Sequence, residues 1–267
     1  MAEKTTAVEF ENDVFLSYAH IDDQVLAEGQ KGWISSLHRA LEVRLAQLLG
    51  KEPRIWRDPK LQGNDVFADR LIEHLPQVGV LVSILSPRYV KSEWCQRELT
   101  AFLKACDSTG GGRLAHKLRV FKVVKTPVPL EQHPAELKPV LGYEFYTVEP
   151  HSGRSRELHA AATRDVQRLY WDKLDDLAHD IADLLTALEG EGGGSDPSSP
   201  PAEPAGTVYL AETSYDLRER RDSIRRELQA HGYTVLPDQP LPLVDTEAEA
   251  VIREHLARCR LSIHLVG

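Results

Sequence analysis

A tryptophan and a glutamate lie four positions apart, in a stretch with the pattern of a helix. Ser92 is a good helix N-cap, so residues 93–104 are predicted to be helical. Trp94 and Glu98 then fall at positions i and i+4 on one face of that helix. An indole ring can stack on a flat ring, and a carboxylate beside it can bind ribose hydroxyls. The pair therefore suits a nucleotide that carries a ribose and an aromatic base.

Both residues also have ordinary structural interpretations. Glu98 is compatible with a plain position on a helix surface. Trp94 is compatible with packing in the core or over a neighbouring element, and the four-residue spacing does not choose between packing and stacking. The elements around the pair therefore have to be considered.

Three apolar stretches precede this helix in the sequence, and they indicate the fold to which it belongs. Residues 13–18, 54–57 and 78–85 have the composition of buried strands, and a helical stretch separates each from the next. This order predicts an α/β, flavodoxin-like doubly wound parallel sheet. The remaining predicted elements are helices at residues 34–48, 66–75 and 155–188 and a strand at 119–124. Open sheets of this class bind ligands at the carboxyl ends of their strands.

Two serines are expected to bracket a loop at this edge of the sheet. Ser86 follows the third strand directly, and Ser92 precedes the helix. Trp94 and Glu98 would then border the crevice where such folds bind ligands.

A composition shift divides the chain. Gly, Pro and Ser fill 12 of the 18 positions from 189 to 206, so this segment is predicted to be a flexible linker. It separates a domain at residues 1–188 from a region at 207–267 in which the order strand, helix, strand, helix, strand recurs. We interpret that region as a second, incomplete α/β domain and a diverged repeat of the first. We expect that the polypeptide continues beyond Gly267 or that a partner completes the sheet.

Four stretches resemble the Toll/interleukin-1 receptor (TIR) domain family in the right order. They are Phe15-Leu-Ser-Tyr18, Ile55-Trp-Arg-Asp58 followed by Leu61-Gln-Gly63, Leu81-Val-Ser-Ile-Leu-Ser86, and Ser92-Glu-Trp-Cys-Gln-Arg-Glu-Leu99. The region after the linker resembles TIR modules more loosely. The resemblance implies the TIR version of the doubly wound sheet.

The resemblance also implies an activity. Many TIR domains, especially prokaryotic ones, cleave NAD at the bond between nicotinamide and ribose, and they use the glutamate of this motif. Glu98 would be the catalytic residue here, because a carboxylate stabilises the positive charge that develops on the ribose. NAD is then the substrate, with no cofactor and no metal. Attack by water would give ADP-ribose and attack from within the molecule a cyclic product, and the sequence leaves both open.

Further binding residues follow from the positions that match the family. The expected substrate-binding residues are Tyr18, Ala19, His20, Asp58, Phe67, Ser86 and Trp94. An ordinary turn at the end of the strand is the alternative for residues 18–20, where some relatives carry arginines. Asp58 could equally cap the turn at Pro59.

The loop after the second strand has a second implied role, which is contact between TIR domains. Its residues are Lys60, Leu61, Gln62, Gly63 and Asn64. The first hypothesis is therefore an NAD nucleosidase that self-assembly activates in bacterial immunity. The alternative is a non-catalytic TIR adaptor that signals through TIR–TIR oligomers. For the second domain, a nucleotide sensor is a third possibility.

Charge and composition limit the other classes. A net charge of −9 argues against broad binding to nucleic acid or to anionic membranes. The three cysteines have the count and spacing of neither a disulfide framework nor a zinc site. The N-terminus lacks a signal-peptide core, and the longest apolar run, at residues 78–85, is too short to cross a bilayer. A soluble cytoplasmic protein is expected.

Overall fold

The computed structural model describes most of the chain: residues 10–25, 29–57, 72–108, 113–114, 117–149, 151–191, 206–214, 217–238, 241 and 245–266. The chain divides into two compact units. One unit comprises Met1–Leu114 and Leu118–Ser195, and the other comprises Ala115–Lys117 and Asp196–Gly267. The domain and linker boundaries expected from the composition remain predictions.

The first unit is built on a parallel sheet. The strands up to residue 191 are β1 (Asn12–Ser17), β2 (Ile55–Arg57), β3 (Val78–Leu85), β4 (Arg113–Leu114), β5 (Lys117–Leu118), β6 (Val120–Val124), β7 (Gly142–Glu144), β8 (Tyr146–Val148) and β9 (Ser155–Glu157). Five of them form one sheet in the order β2-β1-β3-β6-β7, and all of its neighbours are parallel. Strands β8 and β9 pair antiparallel beside it. The predicted α/β fold is confirmed.

Helices cover both faces of this sheet. They are α1 (Trp33–Leu49), α2 (Glu93–Ser108) and α3 (Arg164–Glu191). Side chains along a strand alternate between the two faces. Val14 and Leu16 of β1 therefore pack in the layer beneath α1 and α3, whereas Phe15 packs in the layer beneath α2. The central strand β3 is buried along its whole length, as its nearly continuous apolar sequence predicts.

The long helix begins later than its sequence pattern predicts. A helix was predicted over residues 155–188, but residues 155–157 form β9 and the helix starts at Arg164. Tertiary contacts override the helix propensity here. The backbone N–H of Leu158 donates to Phe145 O at 2.8 Å, and the Glu157 carboxylate accepts a hydrogen bond from Lys125, directly after β6. The first nine predicted helical positions, residues 155–163, therefore connect the sheet to α3.

An aspartate that is distant in sequence caps the start of α1. The Asp23 carboxylate accepts hydrogen bonds from the Ser35 backbone N–H and from Ser35 Oγ, both at 2.7 Å. This arrangement needs a glycine at the N-cap position. A Cβ on Gly32 would lie 2.1 Å from both the carbonyl oxygen and the Oδ1 of Asp23.

Gly32→Ala is expected to destabilise the first unit by about 1–2 kcal/mol, because the turn must move and the helix cap is lost. Thermal unfolding followed by circular dichroism would measure the change. Gln30→Ala is the control, since Gln30 is exposed and close by. A variant that melts with the wild-type protein would show that the cap contributes nothing.

The second unit contains a smaller parallel sheet. Its elements are β10 (Thr207–Leu210), α4 (Arg218–Ala230), β11 (Thr234–Leu236), α5 (Asp245–Arg258) and β12 (Leu261–Ile263). The strand order is β11-β10-β12. The corresponding strands at the start of the chain have the order β2-β1-β3. An internal repeat would give the same strand order in both units. The repeat itself stays a prediction.

Candidate functional site

Strand alternation brings a serine to the glutamate that the sequence singles out. Ser17 is the last residue of β1 and has the same parity as Phe15, so it faces α2. Glu98 lies on α2, one turn after Trp94. Ser17 Oγ donates a hydrogen bond to Glu98 Oε2 at 2.5 Å. The carboxylate therefore sits at the carboxyl end of a central strand.

The surroundings of Glu98 are closed to solvent. Glu98 is 2% exposed and Ser17 is 1% exposed. The hydroxyl of Tyr89, a fully buried residue on the turn after β3, lies 3.4 Å from Ser17 Oγ. A buried carboxylate is costly unless hydrogen bonds replace its lost water. The buried hydroxyl of Ser17 supplies one of them.

The neighbouring ionisable side chains stay neutral. Burial raises the pKa of the Cys95 thiol to about 12, and the negative charge of Glu98 acts in the same direction. Burial also raises the pKa of the Tyr89 hydroxyl well above its ordinary value. Both groups therefore remain protonated at physiological pH. A protonated thiol is a poor nucleophile, so Cys95 has the chemistry of a core residue.

Helix α2 begins where the sequence predicts. Ser92 Oγ accepts a hydrogen bond from the Cys95 backbone N–H at 3.3 Å, which is the expected N-cap interaction. The helix continues to Ser108, one turn beyond the predicted end.

In this structure, Trp94 packs against the protein core. Its side chain is partly buried against the core layer beneath α2. The Arg97 guanidinium carbon lies 5.3 Å from the centre of its ring. The buried Trp94 Nε1 has no hydrogen-bond partner among the described residues. Stacking on a base remains a prediction.

A second polar group lies at the same edge of the sheet, and we call it the Lys125 cluster: Asp22, Ser86, Lys125, Thr126 and Glu157. Lys125, which follows β6, donates to both carboxylate oxygens of Glu157 at 2.9 Å and lies 3.7 Å from Asp22 Oδ1. Ser86 Oγ donates to Asp22 Oδ2 at 2.6 Å, and Thr126 Oγ1 donates to Glu157. Four separate segments of the chain are joined in this way.

The electrostatics of the Lys125 cluster are not balanced. Two carboxylates share one ammonium group. Burial raises the pKa of the Asp22 carboxyl above its ordinary value, and this effect outweighs the opposing effects of Ser86 and Lys125. The Ser86 hydroxyl and the Lys125 ammonium group both favour the ionised form of Asp22, against the effect of burial.

The predicted binding residues occupy different positions around this edge. Ser86 belongs to the Lys125 cluster, and its Oγ also accepts the backbone N–H groups of Arg88 and Tyr89. Tyr18 packs in the layer beneath α1 and α3 rather than beside Glu98, and its ring meets His20 edge-on at 5.5 Å. The Ala19 carbonyl accepts the N–H of Asp22 at 2.8 Å. The roles of these residues toward a substrate remain predictions. Asp58, Phe67 and the loop residues Lys60, Leu61, Gln62, Gly63 and Asn64 lie outside the described residues.

Several residues of the site were not found from the sequence. Ser17, Tyr89, Lys125 and Glu157 acquire their significance only through contacts between distant segments. Strand alternation was the available signal for Ser17, because it shares a face with Phe15. A lysine directly after a buried strand was the available signal for Lys125.

The part of the chain that the structure describes shows neither a metal-binding group nor a membrane-spanning helix. Within it, no group of three or more His, Cys, Asp or Glu side chains could hold a metal ion. Its helices include none that is both long and apolar enough to span a membrane.

The fold and its polar edge define a doubly wound α/β protein with a buried carboxylate at the carboxyl end of the sheet. Residues 14–134 match the family model described as TIR domain. This part of the chain is a TIR domain, with a parallel central sheet between helices.

Two solved structures are similar to the chain. One is the crystal structure of the TIR domain of the Toll-related receptor TRR-2 from Hydra magnipapillata, at 16% identity and a TM-score of 0.35, covering 64% of this chain and 98% of that one. The other is the activated Roq1 resistosome directly recognizing the pathogen effector XopQ, in its TIR domains, at 19% identity and a TM-score of 0.30, covering 69% and 85%. No curated protein matches the chain in sequence.

Proposed function

We propose that the TIR domain is an NAD nucleosidase with Glu98 as its catalytic residue. One observation carries the proposal: the Glu98 carboxylate lies at the carboxyl end of the sheet, buried and hydrogen-bonded by Ser17, within a TIR domain. Ligands of open α/β sheets bind at this edge. A pre-oriented carboxylate in a low-dielectric site stabilises a developing cation better than one in water.

The proposed reaction breaks the bond between C1′ of the ribose and the nicotinamide nitrogen. The bonding electrons leave with the nitrogen, so nicotinamide departs as a neutral molecule and positive charge develops on the ribose ring. Glu98 stabilises that charge and orients the ribose hydroxyls. Addition of water at C1′ and loss of a proton give ADP-ribose. Attack by another atom of the same molecule would give a cyclic product.

Burial of Glu98 supports control of this activity by assembly. A carboxylate that is 2% exposed cannot touch a ribose until its surroundings open. We propose that contacts between TIR domains stabilise the open conformation, so that the isolated protein turns over slowly. By resemblance, such a protein would act as an effector of bacterial immunity.

Nicotinamide release tests this function. Purified protein would be incubated with NAD, once in dilute solution and once with a crowding agent that drives self-assembly, and nicotinamide would be measured by chromatography. We expect release that rises more steeply than protein concentration. A protein that stays inert in every assembled state would exclude the nucleosidase.

The same burial is compatible with a second function, a non-catalytic TIR adaptor in which Glu98 is structural. An adaptor would form oligomers without consuming NAD. Its activity in cells would survive Glu98→Ala and would be lost on mutation of Lys60–Asn64.

A further inference from the structure

We infer that Ser17 is the positioning residue for Glu98, with the buried Tyr89 hydroxyl packed behind it. This inference rests on the proposed function for its importance in catalysis. The contact itself can be tested without NAD.

The geometry fixes the direction of the hydrogen bond between Ser17 and Glu98. An ionised carboxylate only accepts, so the single hydroxyl proton of Ser17 goes to Glu98 Oε2 at 2.5 Å. The lone pairs of Ser17 Oγ then remain available to the Tyr89 hydroxyl, 3.4 Å away. The Ser17 proton therefore goes to Glu98, and the Tyr89 hydroxyl lies behind Ser17 Oγ.

The hydrogen bond from Ser17 favours the charged form of Glu98. A hydrogen bond to an ionised acceptor favours its ionisation. Tyr89 and Cys95 interact with Glu98 electrostatically, and both have raised pKa values. Both groups therefore keep their protons beside the Glu98 carboxylate.

Two secondary-structure elements hold the arrangement in place. Ser17 is fixed at the end of β1, between β2 and β3, and its partner across the ladder is Ser83. Glu98 is in the second turn of α2, whose start is fixed by Ser92. One Glu98 oxygen is thus held from the strand, which leaves the carboxylate in a defined orientation when the surroundings open.

The test uses the full chain and four variants: Ser17→Ala, Ser17→Thr, Tyr89→Phe and the control Ser36→Ala. Ser36 lies on α1, and its Oγ bonds to Gly32 O. The first measurement is the titration of the Glu98 carboxyl by NMR with ¹³C-labelled glutamate. The second is kcat and KM for NAD in the assembled state.

In Ser17→Ala we expect the Glu98 titration midpoint to rise by about one pH unit and kcat to fall by about tenfold at nearly constant KM. Ser17→Thr should restore both, because it keeps the hydroxyl. Tyr89→Phe should shift both in the same direction by less, and it replaces Ser17→Ala as the test if that variant does not fold. Ser36→Ala should match the wild-type protein.

The outcomes separate this inference from the proposed function. A wild-type protein that never releases nicotinamide would remove the nucleosidase, but a shifted midpoint would still support the contact. Folded Ser17→Ala and Tyr89→Phe proteins with unchanged midpoints and unchanged kcat would overturn the role of Ser17 and leave the nucleosidase in place.

Discussion

Replacing Glu98 with glutamine is expected to lower kcat for NAD by about 100- to 1000-fold and to change KM little. Glutamine has nearly the same shape and keeps an oxygen that can accept the Ser17 hydrogen bond. It lacks the negative charge that stabilises the ribose cation. If Glu98 interacts with the substrate mainly in the transition state, its replacement should lower kcat and leave KM nearly unchanged.

The matched control is Glu93→Gln, the same chemical change on the same helix. Glu93 is exposed in the first turn of α2. Initial rates of nicotinamide release would be compared at equal concentrations of assembled protein. Equal rates for the two variants would mean that the charge of Glu98 has no part in the reaction.

The second large effect is expected in the Lys125 cluster. Lys125→Met should destabilise the first unit by about 3–5 kcal/mol at neutral pH, because it removes the ammonium group that the carboxylates of Asp22 and Glu157 share. The side chain of Lys125 is 9% exposed, and those of Asp22 and Glu157 are 10% and 27% exposed. Water can therefore replace little of the stabilisation that Lys125 gives these carboxylates. Denaturant unfolding followed by tryptophan fluorescence would measure the loss.

The loss should depend on pH in a defined direction. The folded-state pKa of Asp22 is already raised by burial, and removal of Lys125 would raise it further. A group with a raised folded pKa adds stability below its unfolded pKa and loses it as the pH rises through the folded value. The gap between variant and wild type should therefore shrink as the pH falls from 7 toward the ordinary aspartate value of 3.8.

Two variants complete this experiment. Lys104→Met changes an exposed lysine on α2 and should stay within about 0.5 kcal/mol of the wild-type protein. Adding Glu157→Gln to Lys125→Met removes one unpaired charge and should recover part of the lost stability. If Lys125→Met unfolds like Lys104→Met, then the Lys125 cluster does not stabilise the fold.

Local sequence patterns were enough to predict much of the fold. Strand β3 has its predicted bounds because a continuous apolar run of that length fits a central parallel strand. Helix α1 ends at a glycine with φ of 68°, as the pattern ending in Gly50 predicts. Strand β7 was not predicted, because three residues beginning with glycine carry no strand signal. The early start predicted for α3 failed because the contacts of Glu157 outweigh local propensity.

In the candidate site too, some residues could be predicted from local sequence and others could not. Ser92 and Glu98 could be found from one short helix pattern. Ser17 and Glu98 are 81 positions apart, and the cluster residues Lys125 and Glu157 are 32 apart. No local pattern encodes such pairs, because strand register and helix packing create them.

The most direct test of the central claim is nicotinamide release by wild-type protein and by Glu98→Gln in the same verified assembled state. Light scattering would first confirm that both proteins assemble equally. Release by the wild-type protein and its near absence in Glu98→Gln are expected. Equal release by both proteins, or none by either, would contradict the assignment of Glu98 as the carboxylate that cleaves NAD.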